Sequence, residues 1–471
     1  MEKLFHLQDR NTTVKAELIG GITTFMAMSY ILMVNPGMFA NLDNVSFGAV
    51  YIATALSAVV GTLLIGLLAN LPLAQASGMG LNAFFVFTVC SEGMGFSYAN
   101  ALLFVLVDGI LFVLLTVTGL RKVIFDAIPK TVKQAIPAGI GLFIAFLGFQ
   151  DSGLVISNAD TGVTLASFNL LGSATWRSVM PLLVTIATVV AIAVLSKKGF
   201  KGAIMWSILG GTAVYYLLSL TISDFSYGFL TENAMNPLTA FKEFGTMAFG
   251  KVFTEGFDFS GYLGMEGHSV TGLVIAFLTT ALAFCMVDMF DTMGTLWGAC
   301  KAGNLLTHNE KGEETVPNMD RAMLADAIAT CTGAVCGTST VTTFVESSSG
   351  VAAGARTGLS SMFTAALFLI ALFFAPVAAL IPACAYAAAL IYVGILMMGG
   401  VRDIDWHNPS EALPAFLTLV MMPFAYNISY GIAFGLISYV LVKLFTGKVK
   451  EINVGTWIIT VLFAAMFFLT H

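Results

Sequence analysis

Charge is scarce in this chain. Asp, Glu, Lys and Arg make up 10% of its 471 residues, against about a quarter in ordinary soluble domains. What charge there is leans acidic, to a net −6, and no basic cluster stands out. A phosphate-reading surface is therefore absent, and nucleic acid is excluded as a partner. Histidine is rare, at 5, and the 6 cysteines form no C-x-x-C pair and no Cys/His cluster. Cys90, Cys285, Cys300, Cys331, Cys336 and Cys384 all lie in or at the end of apolar segments. There a thiol packs as a small apolar side chain. No metal site, disulfide framework or cofactor is expected. No cleavage site follows a short apolar core near the N-terminus, so the first apolar segment is expected to be retained.

Hydrophobic residues fill the space, at 58% with 39 Phe and 46 Gly, and mean hydropathy is +0.89. The runs 50–69, 181–196, 361–380 and 383–401 carry no charge at all. Each is near the ~20 residues a helix needs to cross the hydrocarbon core. Length and hydropathy predict fourteen spans, at 16–35, 47–69, 73–90, 98–118, 132–149, 178–196, 202–222, 269–299, 319–337, 338–356, 358–376, 379–400, 411–426 and 429–446. A further apolar stretch, 454–470, either spans or lies in the interface. The chain reads as an all-α polytopic membrane protein, with the lipid bilayer as its surroundings. The acidic stretch 223–268 is the longest connection and is expected outside the cell.

Basic residues set the orientation. Lys3, Arg10 and Lys15 precede span 1. Arg121, Lys122, Lys130 and Lys133 follow span 4, and Lys197, Lys198 and Lys201 follow span 6. Lys301, Lys311, Arg321, Arg356, Arg402, Lys443, Lys448 and Lys450 fall on the same side, and only Arg177, Lys242 and Lys251 on the other. The N-terminus is therefore expected in the cytoplasm.

The halves resemble each other. "TTFMAMSYILMVNPG" (23–37) aligns with "TTALAFCMVDMFDTMG" (279–294), "ASGMGLNAFFVF" (76–87) with "VCGTSTVTTFVE" (335–346), and "IAFLGFQD" (144–151) with "ILMMGGVRD" (395–403). A repeat of seven spans is odd, so the second copy must insert upside down. Inverted repeats of this kind build secondary transporters, with the site at the repeat interface near the bilayer midplane.

Two corresponding spans break the helix rules. Pro72, Gly78 and Gly80 interrupt span 3, and Ser339, Thr340, Val341, Thr342 and Thr343 favour extended chain in span 10. Non-helical backbone at that depth is tolerated where it is buried in protein or lines a cavity. Two short extended pieces are expected, each followed by a half-helix facing a central cavity.

Acids sit in the same region. "AFCMVDMFDTMGTLWG" (283–298) carries Asp288 and Asp291, and Glu346 opens the half-helix of span 10. A charge in a helix centre costs at least ~2.5 kcal/mol and is functional by default. Asp288 and Asp291 lie about 60° apart on one face. Two carboxylates that close disfavour double ionisation, so one is suited to carry a proton. With no cation beside them, such acids suit the N–H donors of a neutral nitrogen heterocycle. Asp108 and Asp326, lone acids in spans 4 and 9, read instead as structural.

The segments "GMGLNAFF" (78–85), "DMFDTMGTL" (288–296), "TTFVESSSGVAAGARTGL" (342–359) and "LIGGITTFMAMSYILMVNP" (18–36) resemble the azaguanine-type hypoxanthine/guanine/adenine permeases. These belong to the nucleobase–cation symporter-2 class, related to the uracil and xanthine permeases. The resemblance covers essentially the whole chain. It implies a seven-plus-seven inverted repeat of fourteen spans, with a core domain (1–118 and 269–376) moving against a gate domain (119–222 and 377–471). It implies proton-coupled uptake of purine nucleobases, and dimers in related folds make a homodimer an expectation. In that family a span-3 Asn, a span-8 acid and a span-10 Glu meet the base. The corresponding residues are Asn82, either Asp288 or Asp291, and Glu346, with Gly80 and Val345 beside them. The Gly294 spacing favours Asp288 for the base and Asp291 for the proton.

Three other readings are weaker. A sulfate or bicarbonate carrier of the same fold should lack these acids at its anion site. An intramembrane aspartyl protease needs a G-x-G-D motif, which does not occur here. An ion channel is disfavoured by the inverted repeat and the broken spans. No enzymatic activity is expected.

Overall fold

The computed structural model describes residues 2–90, 94–120, 127–222, 236–265, 269–308 and 314–469. Among them, nine helices are long and apolar enough to cross a membrane. They are spans 1 (Val14–Phe39), 2 (Phe47–Ala69), 4 (Tyr98–Thr118), 5 (Lys130–Asp151), 6 (Trp176–Lys197), 8 (Val270–Lys301), 11 (Gly358–Ala378), 12 (Ala383–Asp403) and 14 (Ile428–Phe445). Spans 7 (Ala203–Ser219), 9 (Met319–Cys336) and 13 (Pro409–Phe424) are shorter or more polar helices. The apolar stretch after span 14 forms a further helix, Val454–Leu469, packed on spans 8 and 14. Arg121, Lys122, Lys311 and the segments 223–235 and 266–268 lie outside the described residues. Within the long connection, short helices Pro237–Glu243 and Lys251–Thr254 lie against spans 2 and 4.

Spans 3 and 10 are broken as their residues require. Each begins with a strand, Gln75–Ser77 and Val341–Thr343, and the two strands pair antiparallel with Ala76 opposite Thr342. The N–H of Gly78 donates to the Thr340 carbonyl at 2.9 Å, and that of Phe344 to the Ala74 carbonyl at 3.0 Å. Each extended piece thus satisfies the other's backbone, which no lipid could do. The half-helix Met79–Ala83 continues as a wider π-helical stretch, Phe84–Cys90, and Ser347–Ala352 forms its counterpart.

Spans 1, 2, 4, 9 and 11 pack on one another around the strand pair, with span 8 against span 4. Spans 5, 6, 7, 12, 13 and 14 pack among themselves. Glycines set the closest crossings, as expected where lipid gives helices no hydrophobic reason to associate. A Cβ at Gly358 would stand 2.0 Å from the Gly66 carbonyl oxygen, and one at Gly394 would stand 2.5 Å from that of Gly141. Val117, Leu217, Phe373 and Val461 stay more than half exposed, as lipid-facing side chains should.

Buried acids also hold this frame together. Glu17, fully buried in span 1, accepts backbone N–H bonds from Arg356 at 2.8 Å and Ser360 at 3.1 Å, where span 11 begins. Asp326 of span 9 ties four elements. Its Oδ1 accepts from Gln75 Nε2 at 2.8 Å and Thr343 Oγ1 at 3.3 Å, and its Oδ2 from Thr292 Oγ1 at 2.8 Å. The structural reading of Asp326 therefore has a definite content: it clamps both strands to span 8. Asp326→Leu removes the acceptor of three buried donors, leaving Thr292 and Thr343 unpaired and Gln75 with only its bond to Thr343, at about 1–3 kcal/mol for each unpaired group. We expect a purified variant with a sharply lower unfolding temperature in detergent, whereas Asp326→Asn, which keeps one acceptor, should fall between the two. Unfolding of the Leu variant at the wild-type temperature would refute the clamp.

Candidate functional site

The broken spans face a cavity of about 150 Å³ between the two packed groups of helices. One wall comes from Tyr30 of span 1, Gly78–Gly80 of span 3, Phe290, Asp291, Gly294 and Thr295 of span 8, and Thr343–Glu346 of span 10. The other comes from Pro137 and Ile144 of span 5 and Val393, Leu396 and Met397 of span 12. The polar groups are all on the first wall, and the second is apolar. A flat ring with polar edges fits such a slot, its faces against apolar side chains and one edge against the acids.

Four of the six residues singled out from sequence line this cavity: Gly80, Asp291, Val345 and Glu346. Gly80 also meets span 5, where a Cβ would stand 2.4 Å from Ile140 Cγ2. The half-helix can ride this close to the opposite wall only without a side chain. Glu346 caps the half-helix Ser347–Ala352 and receives the Tyr30 hydroxyl on Oε1 at 2.5 Å. Asp291 receives only a long contact, from Thr342 Oγ1 to Oδ2 at 3.4 Å.

Asn82 and Asp288 do not line the cavity. Asn82 is fully buried one turn into its half-helix, with Oδ1 accepting from Ser77 Oγ at 2.8 Å. That bond ends a directed chain. Asn35 Nδ2 donates to Thr338 Oγ1 at 2.9 Å, and Thr338 and Ser77 share a bond of 2.9 Å. Since the Ser77 proton goes to Asn82, Thr338 is the donor. Asp288 lies one turn from Asp291 and faces spans 4 and 9. Its Oδ2 accepts from Thr330 Oγ1 at 3.0 Å, and its Oδ1 has no hydrogen-bond partner among the described residues. Asp108 lies near it, against the Cys285 thiol. Among the described residues, no group of His, Cys, Asp and Glu is arranged to hold a metal ion.

Sequence reasoning missed Tyr30. A tyrosine in an apolar helix is ordinary, and the one cue was its place six residues before Pro36. There the helix tightens, with the N–H groups of both Met33 and Val34 donating to the Tyr30 carbonyl at 3.0 Å.

A second, wider cavity of about 690 Å³ lies next to it, with Val345, Glu346 and Leu396 lining both. That cavity is walled by Thr23, Ser348, Ser349, Ala352 and the loop Gly199–Gly202 with Lys201. Towards the other membrane face the two groups of helices are joined. Thr88 Oγ1 at the end of span 3 donates to the Tyr426 carbonyl at 2.9 Å, and the Tyr426 hydroxyl donates to Gln150 Oε1 at 2.9 Å.

Solved structures share this architecture. The transmembrane domain of a cyanobacterial bicarbonate transporter, BicA, matches with a TM-score of 0.59 at 16% identity, over 89% of this chain and 97% of that one. The anion transporter SLC26A9 matches with a TM-score of 0.57 at 13% identity, over 92% of this chain and 66% of that one. At such identities they show the fold alone, the seven-plus-seven inverted repeat. Sequence relatives go further. A guanine/hypoxanthine permease of Bacillus subtilis, PbuO, is 38% identical over 99% of both chains. An adenine permease of Escherichia coli, AdeQ, is 34% identical over 98% of this chain and 95% of its own. A putative permease of Methanocaldococcus jannaschii is 39% identical over 99% and 98%. Residues 15–434 match the xanthine/uracil permease model, described simply as a permease family. The chain therefore belongs to the xanthine/uracil permease family, the nucleobase–cation symporter-2 class whose motifs it carries.

Proposed function

We propose that this permease takes up purine nucleobases across the cytoplasmic membrane, coupled to protons, with its N-terminus in the cytoplasm. The observation that carries the reading is the pairing of Asp291 and Glu346 in one cavity with no cation among the described residues of its wall. Two uncompensated acceptors beside apolar walls suit a flat neutral ring rich in N–H groups. They do not suit an anion, which disfavours the bicarbonate-type alternative despite the shared fold. Relatives named as guanine/hypoxanthine and adenine permeases support the same choice.

In this proposal the two packed groups of helices are the core and gate domains. The base meets Asp291 and Glu346 at their boundary, beside Gly80 and Val345. Asn82 acts from behind, holding Ser77 and the strand pair in place. The proposal exchanges the roles expected from the Gly294 spacing: Asp291 faces the base, and Asp288, one turn away and off the cavity, takes the coupling proton, a reading supported by Asp291 alone of the two lining the cavity. The wider cavity at Lys201 lies on the side assigned to the cytoplasm, so the conformation releases inward while the contacts at Tyr426 close the outer route. The proposal also retains a homodimer.

The test is uptake of radiolabelled purines, pyrimidines and sulfate in cells lacking their own base permeases, with and without a protonophore. Purine accumulation that collapses with the protonophore is expected. Accumulation of sulfate or bicarbonate but no purine would overturn the reading.

A further inference from the structure

Among the described residues, Tyr30 is the one tyrosine in the wall of the cavity, and its hydroxyl donates to Glu346 Oε1. The ring is fully buried in the main core cluster. An O–H···O⁻ bond at 2.5 Å is charge-assisted and strong. Glu346 Oε2 accepts no hydrogen bond from any described side chain, and the Glu346 residue is 6% exposed. The two oxygens of the carboxylate are therefore unequal towards the cavity, since one of them already accepts from Tyr30.

That asymmetry matters for a purine. A bare carboxylate accepts two parallel N–H bonds from a planar partner, as it does from a guanidinium. Among 6-oxopurines, guanine presents such a pair on one edge, N1–H and the 2-amino group. Hypoxanthine presents only N1–H there. A fully free Glu346 would then favour guanine by one charge-assisted hydrogen bond.

We propose that Tyr30 is a specificity-determining residue: by taking one lone pair of Oε1 in a short bond it leaves that oxygen a weaker acceptor, so that purines with and without a 2-amino group bind alike. The inference rests on the purine reading above. It extends that reading by naming which part of the ring the site ignores. Tyr30 also fixes the plane of the carboxylate without touching the base itself, so it acts through Glu346.

The experiment compares guanine with hypoxanthine, as competing ligands for binding to purified protein and for uptake in cells. In the wild type the two affinities should agree within about threefold, because the 2-amino group meets an oxygen already weakened by the Tyr30 bond. In Tyr30→Phe, which removes the hydroxyl and keeps the ring, guanine should gain over hypoxanthine by about tenfold or more, the size of one added charge-assisted bond. An unchanged ratio in a Phe variant that still transports would overturn the proposal. A wild-type preference for guanine of about a hundredfold would overturn it without any variant, which covers the case where Tyr30→Phe fails to fold. Binding of neither base by the wild type would overturn the purine reading instead.

Discussion

Glu346→Gln should weaken purine binding by about 10- to 100-fold while leaving the protein folded. The substitution keeps the shape and keeps one oxygen, which the Tyr30 hydroxyl can still occupy. It replaces the free oxygen with an NH₂ group, and a donor then faces the ring N–H. The loss is one hydrogen bond to a charged group, about 1.5–3 kcal/mol, or about one to two powers of ten in affinity. Folding should survive because no other described side chain depends on Glu346. Equilibrium binding of labelled hypoxanthine and an unfolding curve on the same sample separate the two effects. Wild-type affinity in the Gln variant would remove Glu346 from the site.

How much of this was legible in the sequence depended on the range of the interactions involved. The uncharged runs give the spans because the bilayer sets a length and a hydropathy, and those spans recur in the structure. The Thr-rich strand Val341–Thr343 was legible as extended from its β-branched residues. Its partner Gln75–Ser77 has no such bias. It is extended because Pro72 and Gly78 bracket it and because the other strand takes up its backbone groups. Helical periodicity placed Asp288 and Asp291 on one face, but about 60° of rotation was enough to send them to different neighbours. Asp291 reaches the cavity and Asp288 reaches Thr330 of span 9. Asn82 read as a ligand because it is polar and follows the break, and nothing local showed that Ser77 holds its oxygen. Tyr30 and Glu346 are 316 residues apart, and no periodicity spans that distance.

The paired aspartates should separate on mutation. Asp291 lines the cavity and Asp288 lies one turn behind it, close enough for their charges to interact. Charges on both acids at once are disfavoured so close together. A base seated on ionised Asp291 closes that acid off from water, so a second charge on Asp288 costs more with the base bound than without it. Binding then draws a proton onto Asp288, and wild-type affinity should fall as pH rises. Asp288→Asn mimics the protonated acid. It should keep near wild-type affinity, lose the pH dependence, and equilibrate base across the membrane without accumulating it. Asp291→Asn should instead lose affinity by about tenfold or more at every pH, for the same reason as Glu346→Gln. Binding and uptake of both variants from mildly acidic to mildly alkaline medium decide the matter. If Asp291→Asn binds normally and Asp288→Asn does not, the order suggested by the Gly294 spacing is the correct one. If both variants still accumulate base against a gradient, neither carboxylate couples transport to protons, and the proton must enter elsewhere, with Glu346 as the remaining acid on the cavity wall.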